Sequence, residues 1–326
     1  MKRWKIIWLA CGITFIAFLG IAHAQEKYPN RRIEMVIPFA PGGSSDLLTR
    51  IYSEDLTREL NVPIILVNRP GGSGVRGFTY LTSAKKDGYT LAQGASATII
   101  FASVFMRKNV PYDVQKDLAP IGHFATMPGV ITVRSDSPFQ TLDELVEYAR
   151  NNPGKLKHGS AGVSVQDTIN VKLLSLRKNV KISQIPFKGG AGALTAILGG
   201  HSDMCGNVFS TVGPHIKAGA LRGLATFSEK RHKNFPNIPT LKELGYGSGY
   251  LIPWYSFFAP EGVPQARLDV LITAFKRVSQ NPEVVRRLTN AGYVVDYKNP
   301  EEFRKIIASD LRTVEKIARD AGLIKE

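Results

Sequence analysis

Ile33-Glu-Met-Val-Ile37 is followed at once by Pro38-Phe-Ala-Pro-Gly-Gly-Ser-Ser-Asp46 and then by a helical pattern from about Ser45 to Leu60. A short apolar run, a glycine turn and an amphipathic stretch read as strand, turn and helix. The unit recurs. Pro63 to Val67 is a second strand, Asn68-Arg-Pro-Gly-Gly-Ser-Gly-Val-Arg-Gly77 a second glycine-rich turn, and a short helix ends near Ala84. Asp87-Gly88 turns into a strand from Tyr89 to Gln93. Strand-helix alternation of this kind predicts α/β architecture with mostly parallel sheets.

The alternation resumes after residue 130. Thr141-Leu-Asp-Glu144 is a capping box that opens a helix to about Arg150, and Asn152-Pro153-Gly154 ends it. Strands are expected near Leu156–Gly159, Ile182–Pro186, Asp203–Val208 and Leu221–Thr226, with helices between them. Two extended stretches, Ala119 to Arg134 and Tyr250 to Ala259, read as crossings between two lobes. Helices are expected from Pro264 to Gln280, Pro282 to Ala291 and Pro300 to Gly322. Two crossings assign residues 25–125 with 252–326 to one lobe and 126–251 to the other.

The amino terminus reads as an export signal. Lys2, Arg3 and Lys5 precede an apolar run from Ile6 to Ile21, and Ala22-His-Ala24 is a small-x-small cleavage pattern. The apolar run is shorter than the roughly 20 residues a spanning helix needs. Cleavage after Ala24 leaves Gln25 to Glu326 and lowers the net charge from +15 to +12. Cys11 leaves with the signal, so Cys205 stands alone and reads as a small buried residue rather than a nucleophile. The basic residues are scattered in short pairs such as Lys85-Lys86 and Arg286-Arg287, the pattern of solvated faces and not of a nucleic-acid stripe. A positive field still favours anionic ligands.

The two glycine turns are the candidate site. In a parallel sheet both emerge at the carboxyl ends of their strands, where α/β proteins bind ligands. Free amides at a helix N-terminus hold an anion without any charged side chain. Ser44 and Ser45 are expected to cap the first helix. Gly72-Ser-Gly74-Val-Arg-Gly77 also fits a dinucleotide fingerprint, but Arg69-Pro70 interrupts the strand-to-turn join and no acidic residue ends a strand some twenty positions on. Nucleophile-elbow, zinc-protease and phosphate-loop motifs are missing from the sequence, and the histidines have no metal-ligand spacing. No cofactor and no metal are expected. A secreted α/β enzyme acting on a small anionic substrate and a cation-rich surface-binding protein are the competing readings.

Several stretches together resemble the Bug receptors, the substrate-binding components of tripartite tricarboxylate transporters. They are Val36-Ile-Pro-Phe-Ala-Pro-Gly-Gly with Asp46, Asn68-Arg-Pro-Gly71, Asp87-Gly-Tyr-Thr-Leu91, Pro111-Tyr-Asp113, Pro186-Phe-Lys-Gly189, Leu198-Gly-Gly200, Pro239-Thr-Leu-Lys-Glu-Leu-Gly245, and Trp254 with Phe258-Ala-Pro260. The resemblance runs in order through the whole chain after the signal. It implies a two-lobed periplasmic-binding-protein (Venus flytrap) fold, monomeric, that closes on a small organic acid and hands it to membrane permease subunits or a sensor. It also implies that both glycine turns grip one carboxylate through backbone amides and bound waters. The expected contacts are Phe39, Ala40, Gly42, Gly43, Ser44, Ser45 and Asp46 in the first turn and Gly71, Gly72, Ser73 and Gly74 in the second. From the other lobe they are Ser160, Ala161, Asp167, Lys188 and Asn207, with Trp254 at the second crossing. Two departures stand out. The second turn has Pro70-Gly-Gly-Ser-Gly74 where the family has Pro-Gly-Ala-Gly-Gly, and Asp167 lies near the place of a family histidine. An acidic group there would repel a second ligand carboxylate if it faced the cleft.

Overall fold

The computed structural model describes residues 27–162, 165–187, 189–320, 322 and 324. The export segment and its cleavage site therefore lie outside the described residues, as does Lys188. The chain runs β1 (Ile33–Ile37), α1 (Ser44–Leu60), β2 (Ile64–Asn68), α2 (Val75–Thr82) and β3 (Thr90–Ala95). A π-helical segment, Ala97–Phe101, leads into α3 (Ala102–Phe105). Then come β4 (Leu118–Thr126), β5 (Gly129–Arg134), α4 (Leu142–Asn151), β6 (Lys157–Ser160), α5 (Gln166–Arg177), β7 (Ser183–Pro186), α6 (Gly190–Leu198), β8 (Met204–Val208), α7 (Phe209–Lys217) and β9 (Leu221–Thr226). The last part is β10 (Trp254–Pro260), α8 (Gln265–Gln280), α9 (Pro282–Asn290), β11 (Val294–Lys298) and α10 (Pro300–Asp320).

Two mixed sheets result. The first has the order β11-β4-β10-β3-β1-β2 and the second β7-β6-β8-β5-β9. The expectation of mostly parallel sheets holds for β2-β1-β3 and for β7-β6-β8. It gives way wherever the chain crosses between sheets. β10 runs antiparallel to β3 and β4, and β5 runs antiparallel to β8 and β9, because a strand that continues straight out of one sheet enters the other in the opposite sense. β11, which sits between two expected helices, is a further antiparallel edge strand on β4.

Both faces of the first sheet are covered at its inner strands β1, β3, β4 and β10, which are largely buried, while the edge strands β2 and β11 are partly exposed. On the α1 and α8 face, Tyr52, Phe124, Phe257 and Phe275 interlock, with ring centroids 4.7 Å apart for Phe257–Phe275 and 5.4 Å for Tyr52–Phe124. Phe257 and Phe275 are fully buried, each worth about 1.5–3 kcal/mol of burial. On the opposite face, Trp254 packs edge-on against Phe303 of α10 at 4.9 Å. In the second sheet the expected capping box is present in full. The Glu144 amide donates to Thr141 Oγ1 at 3.2 Å and the Thr141 amide donates back to the Glu144 carboxylate.

The passages between the sheets are short. Met127-Pro128 joins β4 to β5, and Leu251 to Pro253 lead into β10. They are tied to each other, since the Met127 amide donates to the Pro253 carbonyl at 2.9 Å. Asn170 of α5 clamps the second passage, donating to Leu251 O at 2.7 Å and accepting from its amide at 2.8 Å.

Candidate functional site

The first glycine turn is built around a buried carboxylate. Asp46, 3% exposed, accepts from the Gly42 amide at 3.0 Å, from Arg50 Nε at 2.8 Å and from Asn68 Nδ2 at 3.1 Å. Burial alone would raise its pKa. The hydrogen bonds from Arg50, Gly42 and Asn68 outweigh that and hold it below the usual carboxylate range. Both oxygens are taken up within the protein, so Asp46 shapes the turn and is not itself free to meet a ligand. Asn68, at the end of β2, also donates to Phe39 O at 3.0 Å and thereby links the two turns.

The expected caps are not formed. α1 starts one residue earlier than the reading placed it. Gly43 is its N-cap, with no side-chain capping bond, and Ser44 and Ser45 are its first helical residues. Ser44 is held from behind. Tyr255 donates to its Oγ at 2.9 Å and Tyr293 donates to its carbonyl. Ser45 is buried, and its carbonyl accepts from Thr49. The exposed Ala40 to Gly43 and the uncapped start of α1 therefore present main chain to solvent.

The second turn reaches the same result through backbone conformation. Gly71, Gly72, Ser73 and Gly74 all have positive φ. Thr98 from the π-helical segment donates to Ser73 O at 2.9 Å and so fixes the turn from below. Gly74 is obligatory there. At φ +93° an added Cβ would stand 2.2 Å from Thr98 Oγ1. The Gly74 amide is spent on Gly71 O at 3.0 Å, which corrects the expectation that it belongs to the grip. Of the basic neighbours, Arg69 is engaged elsewhere and Arg76 is exposed beside the turn. Arg69 stacks on Tyr80 at 3.7 Å, and an ideal Cβ on Gly71 would lie 3.5 Å from Arg76 Cδ.

On the second sheet, the expected residues gather at the carboxyl ends of β6 and β8. Ser160 is buried; its carbonyl accepts from Phe187 N at 2.8 Å, and Ala161 O accepts from Gly189 N at 3.0 Å. Asn207 is 2% exposed, and its side chain bridges Gly190 O and its own following amide at 2.9 Å each. Asp167, in the first turn of α5, is 5% exposed. The two sheets meet here, because Gln166 donates to Ser96 Oγ and the Trp254 amide donates to the same oxygen at 3.2 Å. Trp254 is a correction. Its indole is spent within the protein, donating to Asp310 Oδ2 at 2.8 Å.

Asn68, Thr98, Tyr255 and Tyr293 were not among the expected site residues, yet they position both turns. The tyrosines had a readable signal, since a buried phenol needs a partner. Cys205 is fully buried and burial pushes its thiol up to about 12, which leaves it unreactive. Among the described residues no helix is long and apolar enough to cross a membrane.

A family model described as "Tripartite tricarboxylate transporter family receptor" matches residues 48–323. Protein BugT of Bordetella pertussis is 30% identical over 310 residues, covering 94% of this chain and 95% of its own. An R. palustris protein solved with adipate is 25% identical with a TM-score of 0.85, over 91% of this chain and 99% of its own. MatC of Rhodopseudomonas palustris, solved with bound malate, is 26% identical with a TM-score of 0.80, over 89% and 99%. Two mixed sheets joined by paired passages, two glycine turns linked by Asn68, and a match across most of the sequence lead to one conclusion: the chain belongs to the tripartite tricarboxylate transporter receptor family, solute-binding receptors and not enzymes.

Proposed function

We propose that this chain is a periplasmic receptor that grips one carboxylate of a small organic acid between its lobes and delivers it to the membrane subunits of a tripartite tricarboxylate-type transporter. The observation that carries this reading is the pair of adjacent strand-turn-helix units, linked by Asn68, whose helices α1 and α2 both start without a side-chain cap. Amides left without an internal partner favour an anion, and each helix terminus adds about 0.3–2 kcal/mol. With Arg50 and Arg69 committed elsewhere and the Gly42 amide taken by Asp46, main chain supplies the grip, chiefly around Gly43 to Ser45 and Gly71 to Ser73. In this reading residues 25–125 with 252–326 form one lobe and 126–251 the other, and cleavage after Ala24 releases the receptor as a monomer.

Calorimetry and thermal melting of the purified protein against mono-, di- and aromatic carboxylates test it. A ligand at a hundredfold excess over its dissociation constant should stabilise the fold by about 2.7 kcal/mol. Small-angle scattering should show a smaller radius of gyration at saturation. No binding across the panel, or amine and sugar ligands binding in place of acids, would sink the reading.

A further inference from the structure

Asp167 presents a buried carboxyl oxygen with nothing donating to it. The residue is 5% exposed, and its Oδ1 is buried without a hydrogen-bond partner. It stands over Gly129, where an ideal Cβ would lie 2.1 Å from Oδ1, so the glycine at that position makes room for the carboxyl. Gly129 pairs with Val208 at the end of the ladder nearest the passage between the sheets. Across that gap the charge of Asp167 acts on the phenol of Tyr255, the residue that supports Ser44 in the first turn. Asp167 thus sits between the second sheet and the anion grip.

The side-chain donors that flank it in sequence are committed. Gln166 donates to Ser96 and Thr168 donates to Gly162 O at 2.6 Å. His158 accepts from the Gly206 amide at 3.1 Å through Nε2, which leaves its proton on Nδ1, an atom itself without a partner. A buried acceptor left unmade costs stability, and folding alone gives no reason to keep it. We propose that Asp167 is the specificity-determining residue for the end of the ligand remote from the gripped carboxylate: it accepts a hydrogen bond from a hydroxyl or ammonium there and disfavours a second carboxylate. The ligand class is then monocarboxylic acids that carry a hydrogen-bond donor. This inference rests on the carboxylate grip proposed above.

Burial pushes the Asp167 carboxyl up to about 7. Below that pH the neutral acid donates as well as accepts and tolerates a second carboxylate. Above it the ionised group repels one. The titratable groups that face it do not change charge between pH 6 and 8: burial holds His158 down to about 3 and pushes Cys205 and Tyr255 up to about 12.

The test is calorimetry on the full protein with straight-chain acids of three to six carbons, each ended by methyl, hydroxyl, ammonium or carboxylate. At pH 8 the best hydroxyl- or ammonium-ended acid should bind about tenfold tighter than its methyl- and carboxylate-ended counterparts. The preference over the diacid should shrink as pH falls to 6. Asp167→Asn, which keeps the size, should narrow the preference to within about threefold and abolish its pH dependence. A diacid or plain monoacid binding as tightly as the donor-bearing acid at pH 8, or an unchanged ranking in Asp167→Asn, overturns the inference while leaving the grip intact. Failure of every acid in the wild type overturns the grip and this inference together.

Discussion

The two glycine turns are held in place by opposite means. The first is held by side chains: Asp46 gathers Gly42, Arg50 and Asn68, while Tyr255 and Tyr293 brace Ser44. The second is held by its own backbone, with four successive residues at positive φ and only Thr98 beneath them. A turn fixed by side chains fails when atoms are removed at a distance. A turn fixed by dihedral angles fails when a single methyl is added. The two halves of the proposed grip therefore have different mutational sensitivities in one molecule.

The largest effect is expected at Gly74. Gly74→Val forces a Cβ into Thr98 and a side chain into a left-handed backbone, which costs about 1–3 kcal/mol and should lower carboxylate affinity by about a hundredfold or more. Gly43 is the matched control. Its φ is −83°, and a Cβ there would meet only Ala40 O at 3.8 Å, so Gly43→Ala should melt within about 0.5 kcal/mol of wild type. An equal loss of stability in both variants would erase the distinction between the turns.

Asp46→Ala is expected to follow, because it leaves three donors without their acceptor; a loss of about 1–3 kcal/mol and an affinity lower by about tenfold would fit. The sign with pH is fixed. The folded-state pKa is depressed, so the stability that Asp46 contributes is present above its unfolded value of about 3.9 and is lost as pH falls through the folded one. Acid titration of wild type and variant should converge only below that range. Convergence near neutral pH would mean that another group carries the effect.

Smaller still, Tyr255→Phe removes one phenol from Ser44 and should cost about 0.5–1.5 kcal/mol with a few-fold loss of affinity. Arg76→Gln comes last. The Arg76 side chain is exposed, and its charge should matter by less than about threefold. If Arg76→Gln abolished binding while Gly74→Val did not, the grip would be an ion pair and the comparison would collapse.

Both turns were legible because glycine clusters directly after apolar runs leave little else for the chain to do. The Thr141–Glu144 capping box was legible because its two hydrogen bonds are local. What was missed depends on distance or on a one-residue shift. The sequence suggests Ser44 and Ser45 as caps, but the helix begins one residue early, and that alone converts them into its first turn. The sequence suggests Trp254 near the ligand. Alternation along β10 instead turns its indole toward Asp310, a choice set by register against β3 and β4. β11 carries Asp296 and Lys298 within five residues, too polar to stand out between two helices, and earns its place only by pairing with β4. The Asp46–Arg50 pair was within reach of the sequence, since four residues along a helix bring such side chains together.

The bond between the Met127 amide and the Pro253 carbonyl fastens the two passages side by side. Two separate tethers would let one sheet twist as well as tilt against the other. Fastened together they behave as a single short ribbon, which resists torsion and yields mainly by flexing across its narrow dimension. Were the lobes to close on a ligand as proposed, motion confined to that one coordinate would carry a small entropic penalty for re-alignment. Lengthening either passage by a glycine would add freedom of rotation without touching a single candidate contact residue.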